Sequence, residues 1–166
     1  NLPAIGLLHT ELDNVGSNYA PVNTYDLKEA GLIGWVLGHI HKPQLISKKP
    51  PFILYPGSPQ PLSPSEPGEH GIYELIIKSK NNFEIIKHHL ASLKYILMKI
   101  NVTDIEQIED ITSLISDGIN NRLNLSQNTL IPELIISRII LTGYTELCHE
   151  FDINREIFME LELEIA

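Results

Sequence analysis

Gly38-His39-Ile40-His41 sets two imidazoles two residues apart, directly after the apolar run Leu32 to Leu37. A third imidazole, His9, ends an earlier apolar run, Ala4 to Leu8. Short apolar runs bounded by turn residues read as buried strands, so all three histidines stand at strand ends. Side chains alternate across an extended strand. A chain that is turning past its strand end can still aim His39 and His41 at one place. Neutral imidazole is the commonest nitrogen ligand of divalent transition metals. His9, His39 and His41 are therefore candidate ligands of a metal cluster. The same spacing also fits a pair of solvated loop histidines, and spacing alone leaves both readings open.

The chain around them has 166 residues, 43% hydrophobic and 20% charged. That is enough for one ordinary globular domain or parts of two. No apolar run approaches the roughly 20 residues of a membrane span. Cys148 is the single cysteine, so no internal disulfide can form. That suits a reducing cytoplasm, where we expect the protein to reside. The chain starts Asn1-Leu2-Pro3, with no initiator Met and no signal-peptide pattern, and reads as cut from something longer.

Charge limits the partners. Twelve Lys and Arg face 21 Asp and Glu, a formal net charge of −9. Phosphate contacts by basic groups supply most nucleic-acid affinity, so this chain alone should bind DNA poorly. Acidic residues gather at the C-terminal end: Glu146, Glu150, Asp152, Glu156, Glu160, Glu162 and Glu164.

The elements divide into two regions. In the first, Ala4 to His9 is expected as a strand, Glu11 to Asn23 as a polar loop, and Thr24 to Ala30 as a short helix stopped by Gly31. Leu32 to Leu37 is a second strand, Pro43 to Pro51 is turn-rich, and Phe52 to Tyr55 is a short strand. Gln60 to His70, rich in proline, is an irregular loop. Gly71 to Lys78 and Asn82 to Leu90 form a hairpin. In the second region, Lys94 to Val102 is a strand. Thr103-Asp104-Ile105-Glu106 matches the capping box that starts a helix. Ile105, Ile108, Ile111, Ile115 and Ile119 follow at helical spacing, and the helix ends near Leu123. Leu134 to Leu141 is an isoleucine-rich strand. Thr145 to His149 reads as a helical turn, and Ile153 to Glu160 as a further short helix. The fold class is α+β. No internal repeat is present.

Several segments together carry a resemblance. They are Leu7-Leu8-His9, Tyr19-Ala20-Pro21-Val22, Leu32 to Gln44 (L-I-G-W-V-L-G-H-I-H-K-P-Q) and Tyr55-Pro56-Gly57-Ser58-Pro59-Gln60. They resemble the calcineurin-like metallophosphoesterases, and more narrowly the DNA repair exonucleases of the SbcD and YhaO type. Arg138 to Gly143 resembles a strand of the capping module that follows the nuclease domain there. The resemblance covers residues 4 to 92 well and the remainder loosely. It implies that residues 1–91 are the C-terminal part of a nuclease domain, the distal half of its β-sandwich with a flanking helix. Residues 92–166 would be a small α+β capping or DNA-recognition module.

The family's other ligand motifs, D-x-H, G-D and G-N-H-D, do not occur here. Asp13 is followed by Asn14-Val15, and Asp117-Gly118 is the reverse of G-D. The histidine that protonates the leaving group belongs to the absent motif, so no residue here is expected to be catalytic. The resemblance implies two divalent ions, manganese first and magnesium as the alternative. His9 and His39 would share one ion, and His41 would reach the other. The parent would hydrolyse phosphodiesters in DNA alongside an SMC-like ATPase of the SbcC or YhaN type. This chain alone would be inactive. Two alternatives stay open: a partner-docking module without catalysis, and a metallophosphoesterase acting on a small phosphodiester or a phosphoprotein.

Other residues carry weaker signals. His70 is expected at the surface, and His88 and His89 as one exposed and one packed. Trp35 is expected in the core rather than as a base-stacking platform. Cys148 and His149 are adjacent but lack a second cysteine. Gly57-Ser58 should shape a tight turn, with Ser58 lacking an adjacent base. Ala4 to Leu37 holds two strands apolar on both faces, which need cover on both sides. With a sheet edge left exposed, residues 1–91 should be less stable than residues 92–166, or be rescued by self-association across that edge, a homodimer included.

Overall fold

Ile5–His9 (β1) and Gly34–Gly38 (β2) pair in parallel, Ile5 opposite Gly34 and His9 opposite Gly38. The crossover between two parallel strands needs a helix or long connection, and Thr24–Glu29 (α1) lies within it. The computed structural model describes residues 2–124 and 132–149. Asn23 caps α1, its side chain accepting the Asp26 N–H at 2.8 Å. That leaves one fewer unsatisfied donor at the helix start.

Two further strands complete this sheet. Gln44–Ser47 (β3) and Phe52–Tyr55 (β4) give the order β1-β2-β4-β3, with β4 parallel to β2 and antiparallel to β3. The turn-rich reading of Pro43 to Pro51 is corrected here: four of its residues form an edge strand, irregular between Leu45 and Ser47. Pairing with a fully buried neighbour outweighs the local turn composition, a tertiary effect that composition does not carry. All four β4 side chains are buried, and they alternate between two cores. Ile53 and Tyr55 pack with Leu27 of α1 and Leu37. Phe52 and Leu54 pack with Ile33, and Tyr73, Leu75, Ile77, Phe83 and Ile85 cover them. Those five come from the hairpin Gly71–Ser79 (β5) and Asn82–His89 (β6), which begins and ends within a residue of its expected bounds.

A second compact unit holds residues 95–124 and 135–149 of the described chain. Leu93–Asn101 (β7) and Leu134–Thr142 (β8) form a two-stranded sheet. Leu134 N–H donates to Ser92 O, and Val102 N–H to Thr142 O, so the strands run the same way. Ile108–Asn124 (α2) connects them. Ile111, Ile115 and Ile119, one face of α2, bury against Ile96, Met98 and Val102. The capping box at Thr103 does not start the helix, which begins at Ile108. Thr103 instead donates both its N–H and its hydroxyl to Asn101 Oδ1, and Asp104 takes φ 60°. A short polar side chain bonding locally offers the backbone an alternative to the helix. Cys148 and His149 fall at the end of the described chain, and the helix expected over Ile153 to Glu160 lies outside it.

Candidate metal centre

The parallel register brings the strand ends of His9 and Gly38 side by side. His39 follows, and its backbone turns to φ 96°. That region costs a β-branched or bulky residue about 1–3 kcal/mol, and such strain gathers at functional sites. The turn lays the His39 ring 5.5 Å from the His9 ring, edge to face. On its other side Tyr19 stacks at 4.4 Å. Tyr19 reaches it from a second irregular turn, where Ala20 has φ 44° and accepts the Thr10 hydroxyl at 2.5 Å. Glu11 lies in the same turn, its N–H donating to Tyr19 O at 3.1 Å. Hydrogen bonds from Ser17 and Asn14 hold its carboxyl below the usual range.

His41 has a different neighbour. Its Nδ1–H donates to Glu66 Oε1 at 2.8 Å. Glu66 lies in the proline-rich loop, and its Oε2 accepts the Leu62 N–H at 3.0 Å and the Ser58 hydroxyl at 3.4 Å. The Leu62 hydrogen bond is the largest reason that the Glu66 carboxyl sits below its usual range. Ser58 N–H in turn donates to His41 O at 2.9 Å. Gly57 makes that approach with φ 74°, and a Cβ there would clash with His41 O. Only glycine reaches this conformation without cost.

His70 is buried, not at the surface as expected. Its Nδ1 lies 2.9 Å from Ser58 O and 3.1 Å from Ser58 Oγ, and its Nε2 lies 3.2 Å from Glu66 O. With its proton on Nε2 the neutral ring donates to Glu66 O and Nδ1 can accept the Ser58 hydroxyl; with its proton on Nδ1 it donates to Ser58 O. Ser58 thus does have an adjacent imidazole. Sequence reading missed Glu11, Glu66 and this role of His70. Each comes close through a loop whose path leaves no periodic signal. The E-x-x-E-H string at Glu66 to His70 was the available hint.

The remaining candidates have structural partners. Trp35 donates Nε1–H to Leu27 O at 2.9 Å and packs on the α1 side of the sheet. His88 pairs with Glu74 at 2.8 Å and His89 with Glu69 at 3.2 Å. Both histidines are partly exposed, in place of one exposed and one packed. Cys148 is exposed.

Imidazole is the right donor type for a divalent transition ion. His9 and His39 are adjacent, and the bond from His41 Nδ1 leaves the Nε2 lone pair for a ligand. The donor types therefore fit. Among the described residues, however, no three His, Cys, Asp or Glu side chains gather closely enough to hold an ion. No helix among the described residues is long and apolar enough to cross a membrane.

No family model matches the chain. It is similar to the "Uncharacterized metallophosphoesterase YhaO" of Bacillus subtilis (strain 168), with 30% identity over 112 residues. The match covers 66% of this chain and 26% of the relative, so the chain spans about a quarter of that protein's length. This likeness supports the metallophosphoesterase superfamily.

Proposed function

We propose that this chain supplies the distal metal ligands of a phosphodiesterase of the DNA repair nuclease type. The observation that carries the proposal is the meeting of His9 and His39 at the ends of neighbouring parallel strands. Similarity to a metallophosphoesterase supports the phosphoester chemistry. The resemblance of the G-H-I-H-K-P-Q and Y-P-G-S-P-Q segments supports the nuclease assignment. In this proposal residues 1–91 are the distal half of a metallophosphoesterase β-sandwich, and residues 92–166 a capping module. Two divalent ions, manganese for preference, would polarise the phosphodiester and lower the pKa of a bound water. His9 and His39 would hold one ion and His41 the other. The net charge of −9 is in keeping with a DNA-contacting surface outside this chain, and an SMC-like ATPase is the proposed working partner.

The test combines binding and turnover. Titration of manganese into the 166-residue chain by calorimetry should give weak binding that His9→Ala and His39→Ala each abolish. A labelled linear duplex should be cut only when a segment bearing D-x-H, G-D and G-N-H-D is supplied. Unchanged binding in both variants would remove the ligand assignment. Robust cutting by the chain alone, lost in His39→Ala, would show that the absent motifs are dispensable.

A further inference from the structure

We infer that Glu66 is a positioning residue for His41, setting which imidazole nitrogen is offered to a divalent cation. The inference rests on the metal reading above for the ligand, but its geometry stands by itself. A carboxylate accepts and cannot donate. The 2.8 Å contact with Glu66 Oε1 therefore places the proton of neutral His41 on Nδ1 and the lone pair on Nε2. A ligating histidine is oriented in this way when its second nitrogen donates to a carboxylate.

Glu66 is itself held. Its side chain is 16% exposed, against 53% for His41. Oε2 takes the Leu62 N–H at 3.0 Å while Oε1 takes the His41 Nδ1–H, so rotation of the carboxylate would disturb both bonds at once. Ser58 N–H fixes the His41 backbone at its carbonyl. The buried His70 lies between Ser58 and Glu66 and donates its one N–H to the carbonyl of one or the other. Side chain and main chain of one exposed histidine are thus gripped by a single loop. A solvated histidine would not need this. An imidazole that must present one nitrogen in one direction would.

The experiment reads the tautomer directly. Long-range nitrogen–proton NMR spectra of the metal-free, 15N-labelled full-length protein, with His41 assigned by loss of its signals in His41→Asn, should show the Nδ1–H form. Glu66→Ala should shift His41 toward the Nε2–H form and weaken manganese binding, measured by calorimetry, by roughly ten- to a hundredfold. Glu66→Gln keeps the side chain's size but turns one accepting oxygen into an NH2 donor, which must face either His41 Nδ1 or the Leu62 N–H. It should shift His41 part of the way toward the Nε2–H form and bind manganese with an affinity between Glu66→Ala and wild type, so it decides the matter if the alanine variant fails to fold. An Nε2–H form in the wild-type protein would overturn the inference. So would wild-type manganese affinity in the Glu66 variants alongside loss of binding in His41→Ala. Unchanged binding in His41→Ala, with the tautomer still set by Glu66, would instead remove His41 from the metal site and leave the positioning role without a ligand to serve.

Discussion

Gly38 lies directly across the parallel ladder from His9, and a Cβ on Gly38 would come 2.8 Å from His9 Nδ1. The strand end is thus shaped so that one imidazole can rest against bare backbone. Gly38→Ala should push the His9 ring away from His39. We expect manganese affinity to fall roughly tenfold, the scale of a disturbed supporting contact. Stability should change by less than about 1 kcal/mol, because His9 is exposed and can move. Calorimetric titration beside a thermal melt checks both. Unaltered affinity would mean that the placement of His9 does not matter to the ion.

Tyr55 links the sheet to the loop that carries Tyr19. Its hydroxyl donates to Thr10 O at 3.0 Å and accepts the Leu12 N–H at 3.0 Å. Tyr55→Phe leaves both groups without that partner and should cost about 1–3 kcal/mol. Urea denaturation measures it.

Burial also raises the Tyr55 hydroxyl above its ordinary value. The sign follows from linkage. The folded state favours the neutral phenol, so the contribution is complete below the unfolded value of about 10. It is lost as pH rises through the higher folded value. Stability should therefore fall above about pH 10. Tyr73, raised likewise by burial, adds to the fall, so Tyr55→Phe should make it shallower without removing it. An unchanged slope in that variant would exclude Tyr55 as a source.

Gly143 takes φ 98° beside the Asn101–Thr103 turn, and a Cβ there would clash with Thr103 Oγ1 and Asn101 Oδ1. Gly143→Ala combines backbone strain with that clash and should destabilise by roughly 1–3 kcal/mol. A smaller loss would indicate that the turn can rearrange.

Hydrogen exchange should rank the strands of the first sheet. β2 and β4 lie inside it, whereas β1 is at its edge and Leu7 is 78% exposed. Amides of Val36, Leu37, Ile53 and Leu54 should exchange more slowly than those of Ile5 to Leu8 that point away from β2. Amides of β8 that point toward β7 should also outlast those outward amides of β1 in a monomer. Equal, strong protection throughout β1 in a demonstrably monomeric sample would contradict an open edge.

The amino-acid sequence by itself determined, to within a residue or two at their ends, the strands leading into His9 and Gly38, the hairpin from Gly71, and the isoleucine face of α2. These rest on local periodicity and on apolar runs, which neighbouring residues fully specify. It also singled out the histidines at the strand ends. Only the tertiary structure decided that Gln44–Ser47 pairs as an edge strand and that the Thr103 box is spent on a turn. It alone buried His70 and set Glu66 against His41 across 25 residues of chain. Those outcomes depend on which backbone partner arrives from a distance and on how a proline-rich loop folds back. Such contacts are set by packing and hydrogen-bond satisfaction, and they leave no repeating pattern along the chain.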